Sequence, residues 1–160
     1  MKPETADCLA KAMECLDGAK RIMTLPLPQV AAREAYLAAY HVAEGYIFEQ
    51  TGRIVKTHRG LRTAFSRLAR NEPRIAPEYL TFLATAYELK SIADYSVGPT
   101  ARPITADDTT RAIETAERFI DTITQLLPPG LTPPRGPKAQ PDLRRLGLGV
   151  VSGDLARGYE

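Results

Sequence analysis

The chain of 160 residues has room for one domain of ordinary size, large enough to bury a core without disulfides or a structural metal. Its 44% hydrophobic and 25% charged residues exclude global disorder, and a formal net charge of +2 carries no message about nucleic acid. No apolar run approaches the ~18 residues that cross a bilayer, and no basic-then-apolar leader opens the chain, so a cytoplasmic protein without membrane contact is predicted.

The first predicted helix runs from Ala6 to Met23, where Leu9, Ala12, Met13, Leu16, Ala19 and Met23 recur at spacings of three and four. Cys8 and Cys15 lie about 10 Å apart along its axis, too far for an internal disulfide. Leu25-Pro26-Leu27-Pro28 ends it. The second helix spans about Gln29 to Thr51, with Val30, Leu37, Tyr40, Ala43, Glu44 and Ile47 along one side and Gly52 at the C-cap position. The third, about Gly60 to Ala69, carries Leu61, Ala64, Phe65 and Leu68 and breaks at Asn71 and Pro73.

A fourth helix starts near Pro77 and is expected to bury Leu80, Leu83, Ala84, Tyr87 and Ile92 before Gly98-Pro99. The fifth has the clearest start: Thr105 caps it, Asp108 completes an acidic capping box, and Ile104 is placed as a hydrophobic staple. Its stripe of Ile113, Ala116, Phe119, Ile120, Ile123, Leu126 and Leu127 stops at Pro128-Pro129-Gly130. Five amphipathic helices on short loops predict an all-α, up-and-down helical bundle over residues 1–127. Residues 128–160 alternate proline with glycine and are expected to form a flexible, disordered tail, although its apolar end (Leu143 to Leu148, Val150-Val151) is also able to dock on the bundle or a partner.

The charge is unevenly spread. Between Arg53 and Arg74 stand seven basic residues, Arg53, Lys56, Arg59, Arg62, Arg67, Arg70 and Arg74, against the single acid Glu72, a net +6. Arg59, Arg62, Arg67 and Arg70 project from the side of the third helix opposite Leu61 and Phe65. Such a run either balances acids on neighbouring helices or draws an anionic partner, phosphate or RNA.

Three sets of side chains carry chemistry. Arg33, Tyr36, Tyr40 and His41 share adjacent faces of the second helix and suit a phosphate or a proton, since His titrates near neutrality; the same residues also suit plain packing with satisfied polar tips. His58 stands in Lys56-Thr57-His58-Arg59-Gly60, where Thr57 or His58 caps the third helix, as a structural anchor or beside amides that favour an anion. Glu88 and Asp94 form an acid pair better suited to a helix surface. With two His and two Cys at no ligand spacing, neither a metal nor another cofactor is expected.

Taken together, Arg33-Glu-Ala-Tyr36-Leu-Ala-Ala-Tyr40-His41, Lys56-Thr57-His58-Arg-Gly60 and Tyr87-Glu88-Leu89-Lys90-Ser-Ile-Ala93-Asp94-Tyr95 resemble, in order and spacing, the HEPN family. The small bacterial branch carries R-x-x-Y-x-x-x-Y/F-H, K-T-H-x-G and L-R-x-x-A-D-Y, and the resemblance covers about residues 5–127. It implies a bundle of about five helices that forms a homodimer, often beside a separately encoded minimal nucleotidyltransferase in a toxin–antitoxin pair. Active members cut RNA without metal, using an Arg and, four to six residues later, a His near the end of the fourth helix, contributed by both subunits.

Here Lys90 and Tyr95 stand at those places. A lysine neutralises phosphate without the bidentate fork of arginine, and a tyrosine with a pKa near 10 stays protonated at neutral pH and is a weak general base. Three readings follow. One is a partner or RNA-binding module with a degenerate motif, lined by the 53–74 segment, Lys90, Asp94 and Tyr95. Another is a metal-independent endoribonuclease toxin using Lys90, Asp94, Tyr95 and His58 or His41. The third is nucleotide binding by Arg33, Tyr36 and Tyr40. In the first and third, Arg59, Arg62 and His41 join the binding residues.

Overall fold

The computed structural model describes residues 1–85 and 104–129. Among them the chain is all-α, with α1 (Pro3–Ile22), α2 (Pro28–Thr51), α3 (His58–Ala69), α4 (helical over the described residues 77–85) and α5 (Ala106–Leu126) packed as a bundle. The expected tail, together with Tyr87, Glu88, Lys90, Ile92, Asp94 and Tyr95, falls outside the described residues apart from Pro128 and Pro129.

Each helix start has a local reason. Proline opens α1 and α2, where its missing N–H costs nothing. Thr105 caps α5 in a reciprocal box with Asp108, a device that stabilises a helix by about 1 kcal/mol. The N4 position, where a staple for Ile104 would pair, holds Thr109. That residue is fully buried, and its hydroxyl lies 2.9 Å from the Pro28 carbonyl and 3.0 Å from that of Thr105, so α5 begins beside the start of α2. Gly52 ends α2 at φ 67°, donating its N–H to Phe48 O at 2.8 Å.

α1 and α2 run antiparallel, clasped where the one begins and the other ends. The Lys2 N–H donates to Glu49 at 2.9 Å, the Lys2 ammonium donates to the Phe48 and Glu49 carbonyls, and the Thr5 hydroxyl donates to Glu49 at 2.7 Å. The ammonium thereby satisfies the last carbonyls of α2, where a cation is favoured.

α2 is the axis of the bundle. Eleven of its residues are buried, from Ala31 to Ile47, and α1, α3 and α5 all pack on it. Its small side chains let those helices approach from several directions, so the single stripe expected from spacing is incomplete: Val30 is exposed, and Ala31, Ala35, Ala38, Ala39 and Val42 are in the core instead. In α1 the core side includes Cys15, while Met13 is 36% exposed. In α4 the buried pair is Tyr79 and Leu83, with Leu80 and Ala84 only half-buried.

One aromatic row ties four helices together. Tyr46 meets Phe65 edge-on at 5.9 Å, Phe65 meets Phe119 at 5.2 Å, and Tyr79 stacks on Phe119 at 4.7 Å with 12° between the planes. The Tyr79 hydroxyl ends 2.9 Å from that of Thr122 on α5. No helix among the described residues is long and apolar enough to cross a membrane.

Candidate functional site

Residues 53–57 carry the chain back along α2, so α3 begins beside Tyr36 and Tyr40 and only reaches Tyr46 with Phe65. The Thr57 hydroxyl caps α3, accepting from Gly60 N at 3.0 Å. A Cβ at position 60 would stand 2.9 Å from that oxygen and 3.0 Å from Val55, which explains the glycine of the Lys-Thr-His-Arg-Gly segment. Thr57, not His58, is therefore the cap, and His58 is the first residue of α3.

From there His58 reaches α2. Its Nδ1 lies 2.5 Å from the hydroxyl of Tyr36, which is buried, and its ring lies 4.8 Å from that of Tyr40. If the Tyr36 O–H donates to Nδ1, the imidazole carries its proton on Nε2. Burial, then the nearby Glu44 and Cys8, push the Tyr40 hydroxyl above its ordinary pKa, so it stays protonated at neutral pH.

His41 belongs to a second cluster. Its Nδ1 pairs with Glu44 at 3.2 Å, and Cys8 of α1 approaches the same carboxylate oxygen at 3.9 Å. His41 also touches Tyr40 edge-on at 5.5 Å, which joins the two clusters through one ring. Arg33 pairs with Glu34 at 3.4 Å on its own helix. The structure thus brings Tyr36, Tyr40 and His58 together and turns His41 toward α1.

Both cysteines are thiols. Burial foremost, then Glu44 for Cys8 and Glu34 for Cys15, pushes each to about 11, far from the depressed values of reactive thiolates. Among the described residues no three His, Cys, Asp or Glu side chains are grouped to hold a metal ion.

The basic run forms the second feature. Arg62, Thr63, Ser66 and Arg67 of α3, with Arg70 at its C-cap, line one wall of a groove of about 520 Å³, and Leu80, Leu83 and Ala84 of α4 line the other. The groove wall of α3 lies beside its buried side of Leu61, Phe65 and Ala69, a consequence of amphipathic spacing. No ion pair among the described residues involves Arg59, Arg67 or Arg70. Arg59 is exposed at the opening turn of the helix. Arg67 and Arg70 were legible as part of the +6 run, but the apolar wall that turns them into a groove was not.

Comparison with curated proteins finds no match. The family model for the HEPN domain matches residues 5–126, from the clasp of α1 and α2 to the end of α5. The chain belongs to the HEPN domain family.

Proposed function

We propose that this HEPN domain is an RNA- or nucleotide-binding module that works as a homodimer, paired with a separately encoded minimal nucleotidyltransferase in a toxin–antitoxin-type system. The observation that carries the reading is the groove wall of Arg62, Arg67 and Arg70. Arg67 and Arg70 have no ion pair among the described residues, and guanidinium groups on a groove wall suit phosphate. Arg59, Arg62, Arg33, Tyr36, Tyr40 and His41 are the further binding residues of this reading. Lys90, Asp94 and Tyr95 complete it as a degenerate catalytic motif, in which Lys90 supplies charge and Tyr95 a hydrogen-bond donor.

A second reading, a metal-independent endoribonuclease, draws on His58. A hydroxyl hydrogen-bonded to one imidazole nitrogen holds the ring in place and sets its tautomer, as proton transfer by a histidine requires. In that reading Lys90 neutralises phosphate charge while His58 activates a ribose 2′-hydroxyl.

One experiment separates the two. Full-length protein is incubated with end-labelled RNA in EDTA, beside Lys90→Ala, Tyr95→Ala and His58→Ala variants. The module reading expects binding with intact RNA; discrete fragments ending in a cyclic 2′,3′-phosphate, lost in the variants, would establish the nuclease instead. Co-expression with separately encoded minimal nucleotidyltransferases tests the partner, a stable complex being the expected result.

A further inference from the structure

The turn between α1 and α2 holds three large apolar side chains in the open. Leu25 is 53% exposed, Leu27 40% and Val30 36%. The backbone beneath them is fixed: the Leu25 N–H donates to Ile22 O at 2.9 Å, the Leu27 N–H to Leu25 O at 2.8 Å, and the Val30 N–H to Leu27 O at 3.1 Å. Neighbouring apolar side chains on an ordered turn make a patch, and an apolar patch marks a surface that something covers.

An acidic row leads to this turn. α5 begins against it, where the Thr109 hydroxyl donates to Pro28 O at 2.9 Å. From there Asp107, Glu114 and Asp121 stand exposed at seven-residue intervals, almost in line along the helix. No ion pair among the described residues involves any of the three, while Arg118 is drawn aside to Glu78 of α4 at 3.7 Å. Over residues 104–127 five acids stand against Arg111 and Arg118, a net −3.

A second copy meeting this patch with its own would set the acidic row against itself. Three side chains also fall far short of the ~800 Å² that each partner covers in a stable interface. The chain itself carries a better match beyond α5. Leu143, Leu146, Leu148, Val150 and Val151 are apolar, and residues 135–145 hold Arg135, Lys138, Arg144 and Arg145 against Asp142, a net +3. The reach also fits. The Tyr46–Phe65–Phe119 row shows that α5 runs the same way as α2, so the chain leaves α5 at the end far from the turn. Returning along α5 takes about 31 Å, and the stretch from Pro129 to Leu143 spans up to about 46 Å when extended.

We propose that residues 143–151 dock on the α1–α2 turn, Leu146 and Leu148 lying against Leu25, Leu27 and Val30, with the basic residues of 135–145 laid along Asp107, Glu114 and Asp121. The segment covers the patch, and its charges offset those of α5.

The test is limited trypsin digestion of the full chain, followed by mass spectrometry. The bond after Arg145 lies inside the docked segment; the bond after Arg157 lies beyond it and serves as the internal reference. Leu25→Ser/Leu27→Ser removes the patch from exposed positions, and Leu148→Ser/Val150→Ser removes the apolar occupant without touching the bundle. Each is expected to speed cleavage after Arg145 by about tenfold, because cutting follows the undocked population, with cleavage after Arg157 unchanged. Glu114→Lys/Asp121→Lys is expected to shift the same ratio in the same direction. Equal cleavage after Arg145 in wild type and in every folded variant would overturn the proposal. Protection that fades on dilution would overturn it in favour of docking on a second copy. Protection lost in Leu148→Ser/Val150→Ser but kept in Leu25→Ser/Leu27→Ser would overturn it in favour of another face of the bundle.

Discussion

Replacing Phe119 by alanine tests the packing that sets α3 against α4. Phe119 is fully buried on α5 with Phe65 at 5.2 Å on one side and Tyr79 at 4.7 Å on the other, so its removal leaves a cavity that two fixed rings cannot collapse into. Substitutions of this kind cost about 3–5 kcal/mol. A domain of this length loses roughly 3–5 °C in Tm per kcal/mol, so a fall of about 10–20 °C is expected. The control is Met13→Ala: spacing places Met13 in the core, whereas the structure leaves it 36% exposed, and its loss should cost no more than about 1 kcal/mol. Thermal unfolding followed by circular dichroism measures both. A Phe119→Ala protein melting within about 3 °C of wild type, or a Met13→Ala protein falling as far as Phe119→Ala, refutes the packing described here.

Gly52→Ala should lower stability by about 1 kcal/mol through backbone strain alone, since a Cβ there meets nothing within 4 Å at φ 67°; urea titration with an unchanged m-value is the check. The Glu49 carboxyl is held below the usual range by the Lys2 N–H foremost, and by the Thr5 hydroxyl. Its contribution is therefore present above the unfolded pKa of about 4.3 and lost as pH falls through the lower folded value, so the stability gap between wild type and Glu49→Gln should be widest near pH 7 and narrow progressively as pH falls below about 4.3. Cys8 and Cys15, both raised to about 11, should alkylate slowly with iodoacetamide at neutral pH and at the ordinary thiol rate once unfolded. A fast-reacting native thiol would contradict the burial of Cys15 or the half-buried, acid-flanked setting of Cys8.

What the sequence disclosed, and what it hid, follow from the range of the forces involved. The capping box of Thr105 and Asp108, the Gly52 terminus and the Thr57–Gly60 turn are contacts within four residues, and residue type alone announces them. The family resemblance read from Arg33-to-His41 and Lys56-to-Gly60 agrees with the match over residues 5–126. α2 was harder, because a stripe describes a helix with one buried face and this one packs against α1, α3 and α5. Tyr79 was missed since its ring is apolar while its hydroxyl needs Thr122, 43 residues away.

The site divides along the same line. Tyr36 and His58 were each legible as candidates, but their contact depends on the chain doubling back over residues 53–57 before α3 begins, and no local pattern encodes that path. The one available signal was Thr57, whose cap fixes His58 in the first turn of α3. Similarly, the +6 run was visible, while the groove needed the position of α4 relative to α3.

The central claim is that the arginines of α3 hold RNA phosphates, and the salt dependence of binding addresses it most directly. Oligo(U) affinity is measured across a series of salt concentrations for wild type and for Arg67→Ala/Arg70→Ala. Each phosphate contact on a single strand contributes about 0.7 to the slope of log K against log salt, so the double variant should show a slope shallower by about 1.4, with weaker binding throughout. Equal slopes in the two proteins would contradict the account, because the phosphates would then lie somewhere other than on this helix.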